Sequence, residues 1–428
     1  MKKNRFIVII NLTIFLSIFV INNVVRMSVA SKIAGYTKYS ALINLLFLCS
    51  FGLLFINRLV KRKINFIRLF FIILFSIYFI YNIINSSNGE ISSVIQVITS
   101  YIIPVFLLSF IYDKDEYNTF VPYIIRAFNY YTVFILIYGL IDYGLKYSLQ
   151  NIFINYTYYD MARLIQIEQI MGIYRLYSIF GGPLYNAYVF ILYFILNNIF
   201  RESQEKVTHK SYTSILILII GIVISGSKTG LIIAAALLIF IYKPKNYRFS
   251  YYIILLLIGV AVYKSSLFQD NLMQRFMYKS FGSGRNELLK ELLTGNYELP
   301  KFILGKGLYY SKTVAKYIGV MGMTNFEYPI IMLSYDYGII TTLLIYLIIF
   351  ITPLIKILRT GDYKTAVLFL MLHVFINGFN ALADINDLFA QLIFIQIIIL
   401  KAVKFTSLSP CCKEIKQKGC IYELAGCN

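Results

Sequence analysis

Long apolar runs, separated by short polar segments, repeat along the whole chain. A helix needs about 20 mostly apolar residues to cross the hydrocarbon core of a bilayer, and most of the runs reach or approach that length. The pattern predicts an all-α integral membrane protein with about twelve transmembrane helices. The predicted spans are 6–25, 38–57, 66–84, 92–112, 120–143, 179–200, 212–226, 229–242, 249–264, 329–353, 365–382 and 387–404.

The amino-acid composition agrees with a lipid environment. Of the 428 residues, 59% are hydrophobic and 14% are charged, whereas soluble domains have roughly 45–50% apolar and about 25% charged residues. The net charge of +20 does not indicate a nucleic-acid partner, because the basic residues form short clusters between apolar runs and do not follow one face. Membrane lipids are therefore expected as partners, and nucleic acid is not.

The basic clusters predict the orientation of the chain, because short cytoplasmic loops retain Lys and Arg. The outward stretches 85–90 and 383–387 contain no cation, and the outward stretch 26–38, with Arg26, Lys32 and Lys38, departs from the rule. The basic start followed by a long apolar run predicts an anchoring helix and not a cleaved leader. Both termini are predicted to be cytoplasmic, and the basic inward segments are 58–63, 201–210, 243–248, 356–364 and the tail.

Two outward segments are too long to be simple connections. In the longer one, four leucines at helical spacing follow Gly284-Arg285 and predict a short amphipathic helix that lies on the membrane or caps a cavity. The predicted organisation is 1–143 with the first five spans, 144–264 with the next four and an outward loop at 144–178, a large extracytoplasmic loop at 265–328, 329–404 with the last three spans, and a cytoplasmic tail at 405–428.

Several charged side chains fall on or near the predicted outer face, and each has a simpler interpretation. Arg175 and Lys228 can extend to lipid headgroups, and Arg285 can be a solvated loop residue. Glu327 can stabilise the start of the helix that follows, or it can act as a general base. Asp336 lies inside the tenth predicted span, where a charge costs about 2.5–3.5 kcal/mol, so a partner or a function is expected.

No metal motif, nucleotide-binding loop or Ser–His–Asp arrangement is present, so the sequence predicts no cofactor and no metal. His373 is predicted to be a hydrogen-bonded interior residue, and His209 a solvated loop residue. The cysteines do not form a zinc or extracellular disulfide pattern and are predicted to be free thiols.

The order of the motifs resembles the bacterial O-antigen polymerase and ligase superfamily, which joins lipid-linked glycans on the outer side of the inner membrane. The resemblance covers roughly 175–345. It is carried by Arg175 before Phe-Gly-Gly-Pro at 180–183, the Ser-Gly-Ser-Lys-Thr-Gly turn at 225–230, Gly284-Arg285 before the leucine helix, and Leu-Gly-Lys-Gly at 304–307.

Within that superfamily, the sequence is closer to the repeat-unit polymerases than to the ligases. Glu327 stands where the ligase branch has a histidine, at the same spacing before Gly338, and Thr341 replaces the second glycine of the ligase motif. The resemblance implies metal-independent polymerisation of undecaprenyl-diphosphate-linked oligosaccharide units, for O-antigen or capsule, at the bacterial cytoplasmic membrane. It leaves a chain-length regulator open as a partner.

The resemblance implies a role for each candidate residue. The departing diphosphate would be held by cations, and a carboxylate would accept the proton of the attacking hydroxyl. The implied roles are Arg175 and Arg285 as diphosphate ligands, Lys228 with Ser227 as helpers, Glu327 as the catalytic base, Asp336 as a substrate-binding residue and the next candidate for the base, and Tyr309 and Tyr310 as platforms for sugars.

Three alternatives remain. A flippase or exporter of lipid-linked oligosaccharide would need charges along its spans, whereas these cations are concentrated at span ends and in one outward loop. A ligase conflicts with the substitutions around Glu327. A structural anchor or sensor would leave Asp336 and the outward arginines without a purpose.

Overall fold

The computed structural model describes residues 2–32, 44–86, 91–157, 159–201, 203–241, 248–273, 285–295, 297–319, 325–383 and 387–407. These residues are helical or irregular, with two isolated β-bridges and no strand among them. The predicted all-α fold class is therefore confirmed for the described part of the chain. Most of the predicted tail lies outside the described residues.

The helices of the first half follow the apolar runs closely. Short π-helical segments continue α1 through Val20 and join α5 to α6. The α-helices are α1 (Lys2–Phe15), α2 (Asn23–Ala30), α3 (Leu45–Val60), α4 (Phe66–Ser86), α5 (Ile91–Val97), α6 (Ile103–Phe106), α7 (Lys114–Gly144), α8 (Ser148–Ile154), α9 (Tyr159–Ile170) and α10 (Pro183–Ile199).

The second half contains more breaks. A π-helical segment at 347–351 joins α18 to α19, so that the two form one continuous helix, Ile339–Leu358. The α-helices are α11 (Ser211–Ser225), α12 (Lys228–Ala236), α13 (Arg248–Lys264), α14 (Ser266–Phe268), α15 (Arg285–Thr294), α16 (Tyr310–Ile318), α17 (Pro329–Tyr337), α18 (Ile339–Tyr346), α19 (Thr352–Leu358), α20 (Tyr363–Ile376) and α21 (Leu388–Ser407).

By length and composition, three described helices can each cross a membrane: Phe66–Ser86, Lys114–Gly144 and Ile339–Leu358. A fourth span is possible in the pair Arg5–Val20 and Asn23–Ala30, which is bent by 67°. Six shorter apolar helices of 10–17 residues coincide with further predicted spans. These helices are compatible with a membrane protein, and the number twelve remains a prediction.

The tenth predicted span is not continuous. The helix that we predicted over 329–353 ends at Tyr337, and Gly338 separates it from the next helix with a φ of +85°. The irregular segment 301–307 packs into this break, where Ile339 and Ile340 donate backbone hydrogen bonds to Lys301 and Phe302. A Cβ at Gly338 would lie 2.7 Å from the Ile303 carbonyl oxygen, so the close approach requires glycine.

Helix α10 is the centre of the bundle. Every side chain from Asn186 to Asn198 is buried, and the helix packs against α7, α11, α12 and α20. Helix α4 lies at the periphery, and Phe66, Phe70 and Ile77 on its outer face are more than half exposed. An apolar helix with one exposed apolar face is typical of a lipid-facing position.

Polar contacts gather at the two ends of the bundle. At one end, Arg58 pairs with Glu116 at 2.7 Å, and Lys63 pairs with Glu116 at 2.8 Å and with Asp113. At the other end, Arg26 pairs with Asp387 at 2.9 Å. The residues paired with Glu116 and Asp113 belong to predicted inward segments or their borders. Arg26 and Asp387 belong to predicted outward segments.

Candidate functional site

A cavity of about 530 Å³ lies at the end of the bundle where the predicted outward segments meet. Its wall is formed by the break between α1 and α2, by α9 and the segment after it, by the start of α16, and by the start of α21. This volume is in the range of small-molecule sites, about 300–1,000 Å³. Three of the candidate residues, Arg175, Glu327 and Tyr309, are among the lining residues.

Arg175 lies in the irregular segment between α9 and α10. Its Nη1 donates to Glu168 Oε1 at 2.7 Å, and its side chain is 11% exposed. Burial is the largest influence and lowers the pKa of Arg175, but Glu168, Tyr177 and Glu327 raise it, and the net pKa lies above its ordinary value. A buried guanidinium between two carboxylates therefore stays charged at the wall of the cavity.

Glu327 has a backbone conformation that is unusual for its residue type. Its φ is +54°, in the left-handed region that a residue with a Cβ enters at a cost of about 1–2 kcal/mol. Tyr328 then returns to an extended conformation, with a φ of −118°, and Pro329 begins α17. The strained residue is also one of three carboxylates that line the cavity, with Glu168 and Asp387, and strain of this kind clusters at functional sites.

Tyr309 and Lys312 form the part of the wall at the start of α16. Tyr309 has a φ of +65° at the N-terminus of α16, and the Lys312 Nζ lies 4.5 Å from the centre of the Tyr309 ring. Lys312 lines the cavity as well. The sequence reasoning selected Tyr309 but missed Lys312, because the predicted outward loop contains many lysines and their spacing does not distinguish this one.

Two amide side chains also line the cavity, one in the break between α1 and α2 and one in α21. The sequence reasoning selected neither of them. Asn22 caps α2 by accepting from the amides of Val24 and Val25, and it donates to the Phe180 carbonyl at 2.6 Å. Gln391 is 1% exposed and donates to the Ile18 carbonyl at 2.7 Å. A glutamine within an apolar span was a usable signal, because polar residues at that depth are costly.

The turn between α11 and α12 lies directly behind Arg175. Gly226 has a φ of +61°, and a Cβ there would lie 2.2 Å from Asn271 Oδ1 and 3.1 Å from Arg175 Cγ. Ser227 caps α12 by accepting from the Gly230 amide at 3.0 Å. Lys228 is only 6% exposed and belongs to the first turn of α12, but it does not line the cavity.

Arg285 begins α15, which agrees with the short helix predicted there. Its side chain lies outside the described residues, so its assigned role stays a prediction. Leu288 and Leu292 are buried, whereas Leu293 is 69% exposed. The helix therefore packs one leucine face onto the rest of the protein.

Asp336 is a structural anchor in this fold. It is 1% exposed, and its Oδ1 accepts from the Ser311 backbone amide at 2.7 Å at the start of α16. Its carbonyl accepts from the Gly307 amide at 3.1 Å, and a Cβ at Gly305 would lie 2.1 Å from that carbonyl oxygen. Asp336 is outside the cavity wall, and it connects the outward segment to the break at Gly338.

Tyr310 also has a local structural role. Its hydroxyl accepts from the Lys306 Nζ at 3.2 Å, and its ring packs against Tyr335 at 6.3 Å between centres. Lys306 also pairs with Glu298. Tyr310 therefore belongs to the surface of the outward segment, whereas its neighbour Tyr309 belongs to the cavity.

Neither histidine lines this cavity. His373 is 3% exposed, its Nδ1 donates to the Phe369 carbonyl at 3.0 Å, and it packs against two phenylalanine rings, so the prediction of an interior histidine is confirmed. The prediction of a solvated His209 is wrong. Its Nδ1 accepts from the Tyr193 hydroxyl, and its amide donates to Asn197 at 2.8 Å.

The cavity combines two cations with carboxylates and amides. Arg175 and Lys312 supply positive charge, Glu327 supplies a proton acceptor, and Asn22 and Gln391 supply hydrogen-bonding groups. Within the described ranges, no group of three His, Cys, Asp or Glu residues is arranged to hold a metal ion. The arrangement can bind an anion next to a carboxylate that accepts a proton.

Comparison of the chain with protein-family models, with curated proteins and with solved structures gives no match.

Proposed function

We propose that this protein polymerises lipid-diphosphate-linked oligosaccharide repeat units into a surface polysaccharide on the outer face of a bacterial cytoplasmic membrane. The observation that carries the proposal is the convergence of Arg175, Lys312 and Glu327 on one cavity of about 530 Å³. A cavity with cations beside one strained carboxylate fits a reaction in which an anion leaves and a hydroxyl loses its proton.

The proposed reaction is a single displacement at a sugar carbon. A hydroxyl oxygen of the acceptor sugar attacks the anomeric carbon of the donor, and Glu327 accepts the hydroxyl proton. The bond between the anomeric carbon and the diphosphate oxygen breaks, and its electron pair leaves with the lipid diphosphate. Arg175 and Lys312, together with Arg285, stabilise the charge that develops on the leaving group, and attack from the opposite side inverts the anomeric centre.

The proposed membrane arrangement is twelve spans with both termini in the cytoplasm. Contacts at the predicted outward ends of the spans support it: Arg26 pairs with Asp387, and the hydroxyl of Tyr143, the last residue of the fifth predicted span, donates to Asp270 at 3.0 Å. The pairing with Asp387 gives a partner to one of the three cations in the outward loop 26–38, Arg26.

Replacement of Arg175 by Ala tests the binding of the leaving group. Loss of one preorganised charge contact in a site of this kind lowers a rate by about 10²–10³-fold, so cells should make single repeat units instead of long chains. Arg163→Ala is the matched control, because Arg163 is an exposed arginine on the neighbouring α9. The measurement is a glycan gel of a deletion strain complemented with each variant, at equal amounts of membrane-inserted protein.

Replacement of Glu327 by Gln tests the base, because it keeps the size of the side chain and removes its basicity. The loss of a general base costs about 10²–10⁴-fold, so chain extension should fail. Glu298→Gln, in the same outward segment, should extend chains normally. Polymer of normal length with Glu327→Gln would refute the assignment, and lipid-linked units accumulating on the cytoplasmic leaflet of a deletion strain would replace the polymerase with a flippase.

A further inference from the structure

A second cavity, of about 580 Å³, lies at the opposite end of the bundle. It is a cleft between α4 on one side and α18–α19 on the other, and α21 forms its floor. It shares no lining residue with the outward cavity and has no part in the reaction proposed above. Its chemistry therefore needs a separate explanation.

Three of the lining helices each contribute one face that changes from apolar to cationic, and α6 and the turn after it add Val105 and Leu108. Residues three or four apart lie on the same face of a helix. On all three helices, the cations are at the end predicted to face the cytoplasm. The faces are Arg68, Phe71, Ile72 and Phe75 on α4; Ile348, Thr352 and Lys356 along the helix Ile339–Leu358; and Ile397, Leu400, Lys401 and Lys404 on α21.

The cationic end of the cleft has an excess of positive charge. Among the described residues, no carboxylate forms an ion pair with Arg68, Lys356 or Lys401. The nearby acids Glu116 and Asp113 are already paired with Arg58 and Lys63. Cations collected at one end of an apolar cleft are complementary to a molecule with an anionic head and an apolar tail.

Two of these cations have only long contacts in the described part of the chain. The Arg68 Nη1 donates to the Leu108 carbonyl at 3.5 Å, and the Lys401 Nζ donates to the Tyr112 carbonyl at 3.4 Å. Both distances exceed those of charge-assisted hydrogen bonds to an anion, about 2.7–2.9 Å, so both cations would gain from a phosphate.

We propose that this cleft is a binding site for an anionic phospholipid of the cytoplasmic leaflet. The phosphate lies among Arg68, Lys356 and Lys401, and the acyl chains lie along the apolar part of the three faces. The lipid site depends on the proposed membrane orientation but not on the polymerase activity. If the protein is not a polymerase, the lipid site still stands, and if the lipid site fails, the polymerase proposal still stands.

The test measures lipid binding to the purified full-length protein in a neutral detergent by native mass spectrometry. Phosphatidylglycerol is titrated against phosphatidylcholine of the same acyl chains. A basic residue near anionic lipid contributes about 1 kcal/mol, so Lys356→Gln should weaken the binding of phosphatidylglycerol about 5-fold, and Lys356→Gln with Lys401→Gln about 30-fold. Binding of phosphatidylcholine should be unchanged.

The control is the double variant Lys206→Gln and Lys210→Gln, which removes two exposed lysines from another predicted cytoplasmic segment. It should bind phosphatidylglycerol like the wild type. Equal losses in the control and cleft variants, or no preference for phosphatidylglycerol, would overturn the proposal. So would displacement of the lipid by millimolar inorganic phosphate, which would mean a site for free phosphate. If the double cleft variant does not fold, Lys356→Gln alone decides.

Discussion

At the scale of single residues, Glu327 combines strain, charge and position. A left-handed backbone at a residue with a Cβ persists only where the surrounding structure enforces it. Here the enforcement comes from the chain that follows Glu327, because Pro329 fixes the start of α17 and the Tyr328 hydroxyl donates to Asn286 at 2.8 Å. The charge of the Glu327 carboxylate also contributes to the raised pKa of Arg175.

Replacement of Glu327 by Gly separates strain from chemistry. Glycine adopts a φ of +54° without a steric penalty, although it adds chain entropy to the unfolded state. We expect a melting temperature equal to or above that of the wild type and a complete loss of chain extension. Thermal unfolding in detergent and the glycan gel measure the two effects. A variant with lower stability and normal polymer would assign Glu327 a structural role only.

Arg175 shows how an ion pair can prepare an anion site. Glu168 holds its guanidinium at 2.7 Å and leaves the side chain at the wall of the cavity. An arginine with a fixed position loses little conformational entropy when a diphosphate binds. The Arg175–Glu168 pair thus supports a ready-made contact for the leaving group in the proposed reaction.

At the scale of helices, the breaks are the informative features. The first long helix bends by 67° after Val20, and the break exposes Asn22 to the outward cavity. The helix pair at Gly338 is separated by the irregular segment 301–307, which satisfies the free backbone amides of Ile339 and Ile340. Non-helical backbone at membrane depth is tolerated where protein buries it or where it lines a cavity, and Gly338 meets the first condition and Asn22 the second.

His209, in the loop between α10 and α11, is expected to make the stability of the protein depend on pH. Burial lowers the pKa of His209 below its ordinary value of 6.5, and the neutral ring accepts from the Tyr193 hydroxyl. The contribution of neutral His209 to the free energy of unfolding is fully present above its ordinary pKa. It is lost as the pH falls through the lowered pKa of His209 in the folded state. We expect the melting temperature to fall between about pH 7.5 and about pH 5, and to fall less in His209→Gln. An identical pH profile for the two proteins would contradict this account.

At the scale of the whole molecule, the two ends of the bundle differ in chemistry. The outward end has a cavity with cations, carboxylates and amides, and the inward end has a cleft with cations and apolar side chains. The inward end also holds the buried pair of Arg58 and Glu116, with the Arg58 guanidinium 4.3 Å from the centre of the Tyr112 ring. A polar network of this kind orders one end of the bundle, because an unpaired buried charge is costly.

The orientation of the two ends is testable with single cysteines in a cysteine-free background. Lys301→Cys, in the predicted outward loop, should react with a membrane-impermeant maleimide in intact cells whose outer layers admit the reagent. Lys206→Cys should react only after the cytoplasmic membrane is opened, because its segment is predicted to be inward. Both positions are exposed in the structure. The reverse pattern of labelling would place the proposed reaction on the wrong side of the membrane.

Several residues of the candidate site could be predicted from the sequence, because their charge and their neighbours along the chain were sufficient to select them. The choice of Arg175 followed from a cation at a span boundary, and the choice of Glu327 from a carboxylate before Pro329. Both line the cavity. Asp336 met the same criterion, but the structure directs it to the Ser311 amide and away from the cavity wall. A cost of burial indicates that a partner exists, but it does not identify the partner.

The sequence by itself determined the helices and the sign of charge at their ends, because apolar length and local charge are properties of neighbouring residues. Only the tertiary structure decided which side chains converge. Arg26 and Asp387 are 361 positions apart and form an ion pair, and Lys312 joins Arg175 at the cavity because α16 packs near the segment before α10. Such contacts depend on how whole helices pack, and the periodicity of a single helix carries no information about its neighbours.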